Sequence, residues 1–112
     1  MASGVATQVQ RLTAELSLSQ SELAEVVGAS ARTISRWAAG EAVPQRMSKQ
    51  RLLELVAVGE LLKTVLKPED TNLWIFTPNR MLGHATPAER IASGGFRDVI
   101  ALIEALADGV VF

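Results

Sequence analysis

No cysteine occurs among the 112 residues, and there is a single histidine, His84. The first absence excludes a disulfide scaffold, a Cys-ligated zinc site, a redox centre and a thiol nucleophile. The second removes a His-rich metal cluster. There is also no Gly-rich phosphate loop and no carboxylate pair at a recognisable spacing. No metal, cofactor or catalytic residue is therefore expected, and the chain reads as a non-enzyme. Long apolar runs are missing too. The longest charge-free stretch, Met1 to Gln10, is too short to cross a bilayer. It lacks the basic and apolar regions of a secretory signal, so a cytoplasmic protein with no membrane partner is expected. Neither an internal repeat nor a low-complexity segment is present.

Charge is scarce only in the sum. The net value of −1 hides −2 over residues 1–27, +4 over residues 28–51 and −3 over residues 52–112. The basic centre holds Arg32, Arg36, Arg46, Lys49 and Arg51 against Glu41 alone. Such a centre between acidic flanks suits a nucleic-acid reader with a separate protein-binding half, although surface charge also clusters by chance. Apolar residues are abundant instead, at 48% with a mean hydropathy of +0.22. So small a soluble chain with that surplus is expected to present apolar surface to a partner.

The periodicity is helical almost throughout. Val5, Val9, Leu12 and Leu16 share one face of a first helix. Ser19 and Glu22 form a capping box that opens a second helix near Gln20, and Gly28 stops it. Ser30 caps a third helix ending by Gly40. A long fourth helix is predicted from Arg46 to Leu66, bounded by Pro68. Its apolar residues cover more than one face. This points to a subunit interface, with Gly59 allowing close approach, or to a central core helix. Pro68, Pro78 and Pro87 each suit the first position of a helix, and Thr86 with Glu89 forms a second capping box. A last helix from Phe96 to Ala107 buries Phe96, Val99, Ile100, Ile103 and Leu106. The one strand-like run is Leu73 to Phe76. The expected fold is all-α: an N-terminal helix-turn-helix bundle (residues 1–45), a long central helix (46–67) and a helical C-terminal part (68–112).

Residues 20–40, QSELAEVVGASARTISRWAAG, carry the helix-turn-helix pattern. Ala24 is small where two helices cross, Gly28 lies in the turn, and Ile34 and Trp37 pin the third helix down over Leu23 and Val27. That leaves Ala31, Arg32, Thr33, Ser35 and Arg36 facing outward. Arginine can pair bidentately with a guanine edge, and Thr and Ser can meet base or phosphate. Arg46, Lys49 and Arg51 flank this helix and suit phosphate contact. The predicted DNA-binding set is Arg32, Thr33, Ser35, Arg36, Arg46 and Lys49, with operator DNA as a partner. A single such module reads few bases, so self-association is expected as well.

Residues 68–83 read PEDTNLWIFTPNRMLG. Together with the helix-turn-helix, Val43-Pro44-Gln45-Arg46, Lys49-Gln50-Arg51-Leu52, and Trp74 with Pro78-Asn79-Arg80, they resemble the MbcA/ParS/Xre antitoxins. The spacing of Leu82-Gly83, Pro87, Gly95, Val99, Leu102 and Gly109 fits that family too. The resemblance runs from about residue 9 to the end. It implies an N-terminal part that binds DNA and autorepresses its own operon. It also implies a C-terminal part that binds a cognate RES-domain toxin, an NAD-consuming enzyme, and covers its active-site entrance. Carried onto this chain, it points to Trp74, Asn79, Arg80, Val110, Val111 and Phe112 as toxin-binding residues. The residues alone leave open a stand-alone helix-turn-helix regulator whose C-terminal half dimerises or senses a ligand. They also allow Trp74, Ile75 and Phe76 to be core, and Asn79 and Arg80 to serve the local backbone of a helix opened by Pro78.

Overall fold

Helix α1, Gly4–Glu15, forms where the first apolar stripe predicts it, and buries Ala6, Val9 and Leu12. This computed structural model describes residues 4–109; the predicted contacts of Val110, Val111 and Phe112 lie outside them. Helix α2, Gln20–Val27, starts at a closed capping box: the Ser19 hydroxyl accepts from the Glu22 amide and Glu22 accepts from the Ser19 amide. Gly28 ends it at φ 73°, a left-handed conformation that an L side chain resists. Helix α3, Ala31–Ala38, is capped by Ser30, and helix α4 spans Arg46–Leu62.

Helix α4 stops short of the predicted Leu66. The Thr64 and Val65 amides bond back only three residues, to Leu61 and Leu62. The Thr64 hydroxyl also donates to the Leu61 carbonyl at 2.7 Å. This tightened turn aims Lys67 into the extended conformation that Pro68 demands. Pro68 then opens α5, Pro68–Ile75, so the strand-like run Leu73–Phe76 is the helix's last turn and its cap.

The turn after α5 departs from the sequence reading. Pro78 does not start a helix. Asn79 is the cap, its side-chain oxygen accepting from the Met81 amide, and only a three-residue 3-10 turn, Arg80–Leu82, follows. Gly83 and His84, at φ 65° and 68°, end it at once. Pro87 does open α6, Pro87–Ala92, behind the predicted Thr86–Glu89 capping box. Helix α7, Phe96–Ala107, has the predicted bounds, but Val99, Leu102 and Ile103 are its buried residues, while Phe96, Ile100 and Leu106 are only half-buried. Among the described residues the chain is all-helical, with no strand.

Helix α4 lies at the centre. It packs against α1 and α2 on one side and against α6 and α7 on the other, while α2 also meets α3 and α6. Leu52, Leu55, Val58 and Leu62 of α4 are fully buried, and one apolar core joins residues from Val9 through Trp37 to Ile103. Most of the apolar surplus of α4 is thus absorbed inside this chain, while Met47 and Leu53 stay exposed. Gly59 makes room for Leu16, not for another subunit: a Cβ there would meet the Leu16 side chain at 3.2 Å. A side-chain bond ties the N-terminal helices to the C-terminal part. Asn72 on α5 donates to the Ser17 carbonyl at 3.0 Å and to Glu22 at 3.1 Å.

Candidate functional sites

Helix α3 is held by its inner face. Ile34 and Trp37 are buried, and Gln10 of α1 donates to the Ala38 carbonyl at 3.2 Å. Arg32, Ser35 and Arg36 are therefore presented to solvent on a fixed helix. Thr33 is half-buried, and its amide and hydroxyl are both within bonding distance of the Ser30 hydroxyl, at 3.1 and 2.9 Å. It belongs to the cap more than to the open surface.

The ion pairs separate two kinds of cation. Arg11 and Lys63 bridge α1 to α4 through Glu15 and Glu60, and Arg90 pairs with Asp98. Arg51, which the sequence groups with phosphate contacts, pairs with Glu54 at 2.9 Å, and its side chain is only 13% exposed. Its guanidinium lies against Gly94, so Arg51 joins α4 to the α6–α7 turn. Arg32, Arg36, Arg46 and Lys49 have no ion-pair partner among the described residues and are exposed. The basic centre thus holds exposed cations without ion-pair partners among the described residues on α3 and on the first turn of α4.

Of the predicted toxin-binding residues, Trp74, Asn79 and Arg80 are described, and their surroundings differ. Trp74 is half-buried against the core. Asn79 organises its own turn: beyond the cap, its amide donates to the Ala85 carbonyl, and its carbonyl accepts from Leu82 and His84. Arg80 alone is exposed, without an ion-pair partner among the described residues. Sequence reasoning missed its neighbour Met81, 57% exposed, and Leu73 on α5, 70% exposed. Met81 borders a groove of about 440 Å³ floored by Leu82, Ala101, Leu102 and Ala105. Their signal was weak, because single apolar residues in a helix or turn read as core. Among the described residues no group of acidic or histidine side chains could hold a metal ion. No helix there is long and apolar enough to cross a membrane.

These features define an all-α helix-turn-helix protein with a helical C-terminal extension built onto the same core. The chain belongs to the Xre/MbcA/ParS antitoxin family: residues 54–109 match its "Antitoxin Xre/MbcA/ParS C-terminal toxin-binding domain". It is 44% identical, over 98% of its length and 94% of theirs, to the mycobacterial cidal antitoxin MbcA of Mycobacterium tuberculosis and of Mycobacterium bovis. A probable mycobacterial cidal antitoxin of M. tuberculosis, Rv3188, is 29% identical over 82% of this chain and 78% of that protein. In three dimensions it is similar to a chain in the crystal structure of the M. tuberculosis MbcT-MbcA toxin-antitoxin complex. The TM-score is 0.87 at 42% identity, covering 98% of this chain and 99% of that one.

Proposed function

We propose that this antitoxin neutralises a RES-domain, NAD-consuming toxin by covering its active site, and that it represses its own operon through its helix-turn-helix, working in the cytoplasm. The near-complete structural likeness to a chain of a solved toxin–antitoxin complex carries the first half of this reading. On that reading the C-terminal part supplies the toxin contact, with Arg80, Trp74 and the tail Val110–Phe112 as its candidates, and Asn79 shaping the turn that presents Arg80. The uncompensated cations support the second half. Arg32 and Arg36, four residues apart on α3, read base edges. Ser35 lies beside them, and Thr33, Arg46 and Lys49 serve the phosphates.

The test is co-expression with a RES-domain protein, which this reading expects to be encoded beside this chain. The expected result is a co-purifying complex and restored cellular NAD. Deleting Val110–Phe112 should return NAD loss while leaving the complex intact; a truncated chain that still protects NAD refutes the covering tail. DNA from upstream of its own operon, titrated by anisotropy, tests the repressor half. A chain that bound this DNA but no RES-domain protein would instead be a stand-alone regulator.

A further inference from the structure

Helix α3 has two supports. It packs against α1 and against α2. Its inner residues Ile34 and Trp37 share one buried core with Leu12 of α1 and with Leu23 and Val27 of α2. The attitude of α3 therefore follows the angle between α1 and α2. That angle is set by the short turn between Glu15 and Gln20. Leu16 and Leu18 of the turn are buried, while Ser17 between them takes φ 53°. This is the left-handed region, which a serine seldom adopts and keeps only where its surroundings hold it there.

Asn72 of α5 holds it from the C-terminal part. The side-chain amide gives one hydrogen to the Ser17 carbonyl at 3.0 Å and the other to Glu22 Oε1 at 3.1 Å. Both partners are acceptors, so the amide nitrogen and not its oxygen must face them. Glu22 Oε1 also accepts from the Ser19 amide at 2.9 Å, and the Ser19 hydroxyl accepts from the Glu22 amide at 3.0 Å. Asn72 is thus wired into both the strained turn and the capping box that opens α2. Its own helix is a firm base, because Thr71 and Ile75 beside it are buried.

We infer that Asn72 is a positioning residue for DNA recognition: it fixes the α1–α2 turn, and through the angle of those helices the attitude at which α3 presents Arg32 and Arg36. Its geometry stands on the hydrogen bonds; its use rests on the DNA reading above. A phosphate contact tolerates a small tilt of α3, because charge attraction is weakly directional. A bidentate contact to a base edge does not. Loss of Asn72 should therefore cost sequence preference before it costs affinity for DNA as such.

The test uses the full chain, well below its melting temperature. Asn72→Leu removes both donors at similar size and unchanged charge. In anisotropy titrations it should bind DNA from upstream of its own operon about tenfold more weakly, and a scrambled duplex of equal length as wild type does. Asn72→Asp should lose at least as much. Adding Glu22→Gln to it should restore part of the preference at wild-type net charge. The new amide can donate to the new carboxylate while its oxygen still accepts from Ser19. Backbone amide NMR shifts of the free chain give a second readout. The changes from Asn72→Leu should reach Arg32–Arg36 and not stop at residues 17–22. A variant that melts earlier but keeps the wild-type preference overturns the inference, and so do unmoved α3 amides. A wild-type chain that does not prefer the upstream DNA overturns the DNA reading, and the α3 shifts then decide by themselves whether Asn72 sets that helix.

Discussion

Side chains with a partner inside the chain and side chains without one divide the work of this molecule. Arg36 is exposed, four residues from Arg32, and touches no carboxylate among the described residues. Arg36→Ala should leave thermal unfolding unchanged, weaken operator binding by about 1–3 kcal/mol and relax base preference at the position it reads. Unchanged affinity in anisotropy titrations would remove Arg36 from the site. Glu89 illustrates the opposite kind. The Thr86 backbone N–H, with help from the Thr86 hydroxyl, holds its carboxyl below the ordinary 4.5. A depressed folded value means that its contribution is present above pH 4.5 and is lost as pH falls through the lowered value. Wild-type melting temperature should therefore fall more steeply below pH 4.5 than that of Glu89→Gln, which keeps an acceptor without the charge. Equal slopes in pH-dependent melts would exclude the effect. At this scale the sequence was legible where chemistry is local: Ser19, Ser30 and Thr86 cap as their spacing predicts. It was less legible for Asn79 and Asn72. Asn79 serves its local backbone, as the residues allowed, but in a turn of its own and not in a helix opened by Pro78. Asn72 bonds to Ser17 and Glu22, whose positions depend on how distant segments meet, and no periodicity reports that.

Elements were read well where a stop signal is written into them. Gly28 and Gly40 end helices at positive φ, and the bounds of α2 and α7 emerge as predicted. They were read less well where proline stood alone. Pro68 and Pro87 open helices, yet Pro78 does not, because Asn79 behind it takes the cap and two left-handed residues follow closely. The α6–α7 turn depends on Gly95 for space, not conformation. A Cβ there would collide with the Arg90 side chain and approach the Arg90 carbonyl at 3.1 Å. Arg90 would have to leave the Leu82 carbonyl and Asp98, which it now links. Gly95→Ala should therefore destabilise by about 1–3 kcal/mol in chemical denaturation, the more so because Gly95 is the N-cap of α7, where alanine is disfavoured. A neutral or stabilised variant would show that Arg90 is free to move.

The whole molecule is less divisible than its motifs suggest. The length and all-round apolar character of α4 were visible in the sequence; what covers each face was not, since hydropathy is blind to whether a neighbour is α1, α7 or another chain. The core runs unbroken from Val9 to Ile103, and it includes Trp37 near one end while Trp74 packs against it from the other half. The chain's two tryptophans therefore report separate regions of one core. Denaturation of Trp37→Phe and Trp74→Phe, each leaving a single fluorophore, should give melts whose fluorescence and circular dichroism coincide within each variant. A fluorescence transition displaced from the loss of helix would instead reveal a separately unfolding part. Trp37→Ala, which empties a buried site, should cost about 3–5 kcal/mol and lower the stability of the C-terminal helices as well as α3.

The central position of α4 also governs how such chains can be recombined. The family match begins at residue 54, inside a helix whose buried Leu52 lies on one side of that point and whose Leu55, Val58 and Leu62 lie on the other. A hybrid joined there would have to rebuild a shared interior from two ancestries, with Arg51 from one parent seeking Glu54 and Gly94 from the other. Crossovers placed in the loop before Arg46 keep that helix whole. The interior therefore links inheritance of α3 to inheritance of the C-terminal helices.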